Sequence, residues 1–376
     1  MNPQSWSVKT ARSIMERTPR LFEDKGYDGR WSYDYAVVLR GFVFLWKLTG
    51  NRTYFQYIRD NIGPFIRDDG SIVGYRQEEY NIDHLNNGKL LFLLHRETGE
   101  EKYKQAADLL YGQLQSHPRT SEGAFWHKRI YPHQIWLDGL YMGAPFYLEY
   151  LLEHRGGQGL GDITRQFMLC EKHTKDPASG LLYHAWDEQA TQPWCDPKTG
   201  LSENFWGRSL GWYVMALVDV LEILPAGHRD YAELVRILMD TLEALSRYQD
   251  AGSGVWYQVV NLAERKGNYL EASASSMIVY AMVKGIRLGI LQGAVWRERA
   301  DLAFSGLIAE FVTETKNGWV NLNKTCQVAG LGGEARRDGT FAYYISEPII
   351  TNDQKGLGAF LQACVEYESW KGELLR

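Results

Sequence analysis

The chain has 376 residues, 45% of them hydrophobic, and a formal net charge of -5. That length is enough for two or three domains, yet no Pro/Gly/Ser linker or charge block divides it, so one domain over residues 1–376 is expected. An acidic balance of mixed sign excludes the basic stripe of a nucleic-acid or membrane-surface protein.

In chain order, an amphipathic segment at 10–22 precedes WSYDYAVVLRGFVFLW from Trp31, which is apolar on nearly all sides after its first turn. The alternation then repeats. Residues 53–66 precede NIDHLNNGKLLFLL from Asn81, and 101–117 precede IWLDGLYMGAPFYLEYLL from Ile135. Residues 162–173 precede FWGRSLGWYVMALVDVL from Phe205, 231–248 precede NYLEASASSMIVYAMV from Asn268, and 295–312 precede TNDQKGLGAFLQACV from Thr351. The first set places apolar residues three or four apart among charged ones, as half-exposed helices do. The second set is rich in Gly, Ala and Ser, which lets neighbouring backbones approach closely, and reads as an inner layer. Their starts lie roughly 50 to 80 residues apart, too irregular for a short-period solenoid. Twelve helices in six pairs is the count that closes into a ring, so the expected fold is an all-α (α/α)6 barrel.

In such a ring the polar starts of the inner helices crowd toward one end of the axis. Those positions are Asp34, Asp83, Asp138, Arg208, Glu271 and Asp353. Carboxylates there also suit helix caps and the helix dipole, and spacing alone does not choose between a cap and chemistry.

Cys170, Cys195, Cys326 and Cys364 are scattered without a C-x-x-C and read as reduced thiols. The N-terminal stretch has no apolar signal-peptide core, and no apolar run is long enough to span a bilayer, so cytoplasm is the expected location. The chain carries 13 Trp and 23 Tyr, many at inner-helix starts or in adjoining loops. Aromatic faces suit the C–H faces of sugar rings, and interleaved Asp, Asn, His and Arg suit their hydroxyls.

Two motifs mislead. Gly207-Arg208-Ser209-Leu210-Gly211 matches the serine-hydrolase G-x-S-x-G, but that elbow needs an apolar strand before it, which LSENFW is not. The glycine-rich loop 156–161 follows a helix end and reads as a turn, not a phosphate site. His127 and His133 lack metal-ligand spacing with a third residue.

Together IWLDGLYMGAPF (135–146), LLYHAWDE (181–188), FWGRSLGW (205–212) and NYLEASASSM (268–277) resemble the unsaturated rhamnogalacturonyl hydrolases of glycoside hydrolase family 105, over most of the chain. The resemblance implies an (α/α)6 barrel acting on lyase-cut pectin fragments that end in a 4,5-unsaturated galacturonyl residue linked to rhamnose. It also implies hydration of that double bond in place of attack at the anomeric carbon, outside the ordinary two-carboxylate scheme. No metal or organic cofactor is needed for hydrating an enol ether, and none is expected.

Mapped onto this chain, the family's catalytic aspartate falls on Asp138 in W-L-D-G-L-Y-M, and its second aspartate on Asp83 in N-I-D-H-L-N-N-G. Asp138 as an acid must hold a proton near neutrality, through burial or a nearby like charge that Asp83 could supply. The expected substrate contacts are His184, Arg208, Trp212, Trp206, Lys128, His127, Tyr35, Met142 and Tyr344. Among them Arg208 offers a planar fork for the uronate carboxylate, or alternatively pairs with Glu203. Tyr343, Tyr344 and Lys355 in the closing segment RRDGTFAYYISEPIITNDQKGLGAF are placed at the pocket rim. Rival readings are an unsaturated glucuronyl hydrolase of family 88, acting on glycosaminoglycan disaccharides, a sugar epimerase on the same barrel, and a non-catalytic helical sugar-binding scaffold. Aspartates at 83 and 138 speak against the epimerase, which would bring histidine pairs. Oligomeric state and protein partners are not legible in the sequence.

Overall fold

The computed structural model describes residues 5–333 and 337–374. The two ends of the expected 1–376 domain and Arg336, at the head of the closing segment, lie outside the described residues. α1 (Trp6–Arg17) stops earlier than expected because Pro19 follows, and the residue before a proline is driven out of helical geometry. α2 (Asp34–Thr49) and α3 (Arg52–Ile62) come next, then a 3-10 run (Ile82–Leu90) that continues as α4 (Leu91–Thr98), and α5 (Glu101–Ser116). The remaining pairs are α6 (Leu137–His154) with α7 (Leu160–Thr174), α8 (Gly207–Ile223) with α9 (Tyr231–Ser246), and α10 (Ala272–Arg287) with α11 (Ala294–Phe311). A short α12 (Phe341–Ser346) leads into α13 (Gln354–Trp370).

The inner layer closes on itself: α2 packs on the 3-10 run, which packs on α6, and the circuit continues through α8, α10 and α13 back to α2. The protein is a mostly helical (α/α)6 barrel. Each outer helix packs chiefly on the inner helix before it, not on the one it precedes: α3 on α2, α5 on α4, α7 on α6, α9 on α8 and α11 on α10. α1 packs on α13 and seals the ring. Close inner-layer approach depends on glycine at the tightest crossings. A Cβ at Gly358 would stand 2.5 Å from the carbonyl of Val37, and one at Gly211 2.7 Å from the Cβ of Met277.

At the seam, the Glu368 carboxylate on α13 accepts hydrogen bonds from the first turn of α1, at the backbone N–H of Trp6 and Ser7 and the Ser7 hydroxyl. Burial nonetheless pushes the Glu368 carboxyl up to about 7. A carboxyl whose pKa is higher folded than unfolded binds more protons in the folded state, so its contribution to stability is complete below the ordinary carboxylate range and is lost as pH rises through about 7. Urea unfolding should therefore show stability falling between about pH 5 and about pH 8, and Glu368→Gln should flatten that slope. A slope unchanged in Glu368→Gln would assign the dependence elsewhere.

One inner helix departs from expectation. The segment from Asn81 begins as a 3-10 run because its asparagines are tied to the start of α2. Asn86 and Asn87 donate to the carbonyls of Tyr33 and Ser32, and Asn87 accepts from the N–H of Ala36. Among the described residues three two-stranded ribbons complete the fold: β1 (Gln134–Trp136) with β2 (Ala185–Asp187), β3 (Val312–Glu314) with β4 (Val320–Leu322), and β5 (Thr325–Cys326) with β6 (Ile349–Ile350).

Candidate active site

The β1–β2 ribbon pairs Trp136 with Ala185, and the N–H of Leu137 donates to the carbonyl of His184 at 3.1 Å. That register delivers His184 to the start of α6, where its Nε2 lies 3.3 Å from Oδ2 of Asp138. Among the described residues both atoms are buried without a well-aligned hydrogen bond. On its other side His184 meets the Tyr344 hydroxyl, 2.7 Å from Nδ1.

The six helix-start positions now separate by what their side chains do. Glu271 caps α10 at the N–H of Ala274, and Asp353 caps α13 at the N–H of Lys355. Asp34 accepts from Tyr27, Ser32 and Lys355. Asp138 caps nothing, and Asp83 is relieved of the duty by Asn81, whose side chain accepts from the N–H of Asp83. Asp83 instead pairs with Lys128 at 2.6 Å, with His127 Nε2 3.6 Å away. Burial pushes the Asp83 carboxyl up, but the charge of Lys128 and the neighbouring His127 outweigh it and hold Asp83 below its ordinary value. His127 is stacked on Trp136 at 4.7 Å and driven down to about 4, chiefly by burial, so it is neutral near neutrality.

Arg208 is placed differently from expectation. Its partner is Glu271, at 3.6 Å, not Glu203. Its Nε donates to Ser273 Oγ at 2.7 Å and its terminal nitrogens donate to the carbonyls of Cys326 and Gln327, so the fork is engaged by the protein and only 1% of the residue is exposed. Trp206 lies under that guanidinium and beside His184, with Nε1 on Gln258. Ser209 is fully buried at the start of α8 and donates to the carbonyl of Trp206, so nothing in its setting resembles a nucleophile elbow.

Five expected contacts belong to core clusters: Met142, Trp212 and Tyr35 to the main one, and Trp206 and Tyr344, the latter expected at the rim, to a smaller one. Met142 and Trp212 sit four residues after Asp138 and Arg208, one helical turn further along the inner stripe, and both are 1% exposed. Trp212 stacks on Tyr141 at 4.6 Å. Tyr35 follows Asp34 by one position and turns between the layers, where it packs on Phe65 and donates to the carbonyl of Arg30. Tyr33, the residue before α2, had no assigned role and lines open space at the start of that helix. Burial, then the charges of Asp34 and Asp83, raise its hydroxyl well above the ordinary value, and it also feels Asp138 and Arg208. The signal was present as an aromatic immediately before a helix-start acid.

A cleft of about 1790 Å³ opens beside these residues, lined by Tyr33, Asp83 and Lys128 but not by Asp138, His184, Tyr344 or Arg208 themselves. Its inner end is walled by Tyr33, Asp83, His84 and Lys128, and a second cluster, Lys355 between Asp34 (3.1 Å) and Asp353 (2.9 Å), forms its flank. Asp138 stands next to that inner wall with 14% of its side chain exposed. Among the described residues no group of three or more His, Cys, Asp or Glu could hold a metal ion, and no helix is long and apolar enough to cross a membrane.

The sequence model of Glycosyl Hydrolase Family 88 matches residues 6–371. A family 105 glycoside hydrolase from C. acetobutylicum ATCC 824 superposes with a TM-score of 0.94 at 53% identity, over 97% of this chain and 100% of that one. The chain belongs to the family 88/105 glycoside hydrolases. It is 28% identical over 283 residues to the unsaturated rhamnogalacturonyl hydrolase YesR of Bacillus subtilis (strain 168), covering 73% of this chain and 76% of that protein. An unsaturated glucuronyl hydrolase from Bacillus sp. GL1, responsible for degradation of glycosaminoglycan, shares the fold at a TM-score of 0.67 and 14% identity, over 96% and 94% of the two chains. Membership in a glycoside hydrolase family removes the non-catalytic scaffold reading.

Proposed function

We propose that the protein is an unsaturated rhamnogalacturonyl hydrolase, built as one domain and working in the cytoplasm. On this reading it hydrates the C4=C5 bond of an unsaturated galacturonyl residue and releases it from rhamnose. The observation that carries the reading is Asp138: a helix-start acid with no capping duty, a buried unshared oxygen, and a histidine 3.3 Å away. The relationship to YesR supports the choice of sugar, and four free cysteines accord with a reducing compartment.

In this mechanism Asp138 transfers its proton to C4, positive charge develops at C5 beside the ring oxygen, and the Asp138 carboxylate takes a proton from the water that adds at C5. The hemiketal then opens to a C5 ketone, which leaves C1 as a hemiacetal, and that hemiacetal collapses to the aldehyde, freeing the rhamnose-bearing remainder. His184 can accompany both states of Asp138. With its proton on Nδ1, donated to Tyr344, the bare Nε2 accepts from protonated Asp138; with the proton on Nε2 it donates to the carboxylate. Asp83 stays ionised but is offset by Lys128, so its role is to orient sugar hydroxyls more than to repel a charge on Asp138. Lys128 is the cation at the inner wall that meets the uronate carboxylate.

Incubation with lyase-treated rhamnogalacturonan, chondroitin and heparin fragments, following loss of the ultraviolet absorbance of the C4=C5 bond, tests the substrate. Turnover of the rhamnose-linked fragment well above the other two supports the reading. Preference for either glycosaminoglycan fragment replaces it with the glucuronyl hydrolase.

A further inference from the structure

The cleft is larger than a disaccharide needs. Small-ligand pockets run to roughly 300–1,000 Å³, against about 1790 Å³ here. Its charge also changes along its length. Beyond the inner wall and the Lys355 cluster, the lining carries, among the described residues, six cations, Arg17, Arg20, Lys25, Arg30, Arg67 and Arg76, against three carboxylates, Glu23, Asp24 and Glu79. That excess of positive charge sits on a protein whose net charge is -5. Five of the six come from two stretches of chain, 18–33 and 66–81, and Arg17 from the end of α1.

Several of these cations have donors to spare. Arg20 is paired with Asp60 and Arg76 with Glu79. Lys25 and Arg67, both exposed, make no side-chain hydrogen bond or ion pair among the described residues. Arg17 uses one terminal nitrogen on Val320 and Asn321 while the other has no hydrogen-bond partner among the described residues. Tyr27 and Tyr75, both half-buried, line the same stretch, and their hydroxyls, which donate to Asp34 and Gln113, can still accept from a sugar hydroxyl. A neutral aglycone would leave these cations idle, and a charged one would not.

We propose that the outer cleft is a subsite for a second anionic sugar, so the preferred substrate is an acidic oligosaccharide longer than a disaccharide. This deepens the proposed function and rests on it only for the identity of the first sugar. Two sources share the chemistry: a further uronate carboxylate, as in an alternating galacturonate–rhamnose chain, or a sulfate on a glycosaminoglycan.

The test uses full-length Asp138→Asn protein, so that ligands are not consumed, with binding followed by calorimetry. The probes are the unsaturated galacturonyl-rhamnose disaccharide, the tetrasaccharide with a second galacturonate, its methyl ester at that second residue, and unsaturated chondroitin and heparin tetrasaccharides. The acidic rhamnogalacturonan tetrasaccharide should bind about tenfold more tightly than the disaccharide at low salt, the size of two or three exposed ion pairs. The gain should collapse at high salt, in the methyl ester, and in Lys25→Ala/Arg67→Ala, while that double variant in the wild-type background keeps its disaccharide turnover. A gain that survives esterification, or that persists in the double variant, overturns the subsite. If the sulfated tetrasaccharides show the salt- and Lys25/Arg67-dependent gain instead, the subsite stands and the rhamnogalacturonan assignment falls.

Discussion

Asp138→Asn is expected to leave the fold intact and lower turnover of the unsaturated substrate by about 10²- to 10⁴-fold or more, because the same group serves as acid and then as base. The fold should survive because Asp138 caps no helix and its Oδ2 makes no well-aligned hydrogen bond among the described residues. Asn keeps the volume and loses only the transferable proton. Steady-state kinetics and thermal unfolding on the same preparation check both halves. Activity within tenfold of wild type would remove Asp138 from the chemistry. Asp83→Asn should act differently: with its ion pair gone, Lys128 is left half-buried and unpaired, so substrate affinity should suffer along with turnover.

The second large effect is expected at Arg208, and it is one of stability. Arg208→Ala leaves the fully buried Glu271 carboxylate without its cation, although Glu271 must still cap α10 and accept from the N–H of Cys326. Breaking a buried pair from one side costs about 3–5 kcal/mol. Urea denaturation should show a loss of that size. Arg208→Ala combined with Glu271→Gln should recover part of it, since no unpaired charge then remains. Arg208→Lys should fall between, keeping the charge but not the planar set of bonds to Ser273, Cys326 and Gln327. Crossing Arg208→Lys with a substrate methyl-esterified at the uronate should give additive losses, because the guanidinium is already engaged. Strong coupling in that cycle would return Arg208 to the sugar.

Much of the barrel was legible because inner and outer helices differ in period: one set alternates apolar and charged residues three and four apart, the other is apolar almost all round. The 3-10 start of the Asn81 segment was not, since it is set by Asn86 and Asn87 bonding to a strand of backbone some fifty residues away. The site was half legible for a similar reason. Helix-start positions could be named from sequence, and the family resemblance singled out Asp138, but the spacing did not show that Glu271 and Asp353 cap while Asp138 does not. Motif membership carried no depth, so Met142 and Trp212, one turn below their neighbours, were taken for contacts. Nearness in sequence suggested Glu203 for Arg208, whereas the fold supplies Glu271 from the next inner helix. Tyr33 was visible as an aromatic and went unassigned.

The central claim is that a single carboxyl adds a proton to C4 of the unsaturated sugar while water adds to C5. Running the reaction in D₂O, quenching early and reading the released uronate by NMR tests it most directly. Hydration by Asp138 predicts one deuteron at C4, on a single face, appearing in step with loss of the double-bond absorbance and with release of rhamnose. Release of rhamnose with the double bond intact would show that the bond is cut at the anomeric carbon, and deuterium spread over both faces of C4 would show that no single carboxyl delivers the proton; either result would contradict the account.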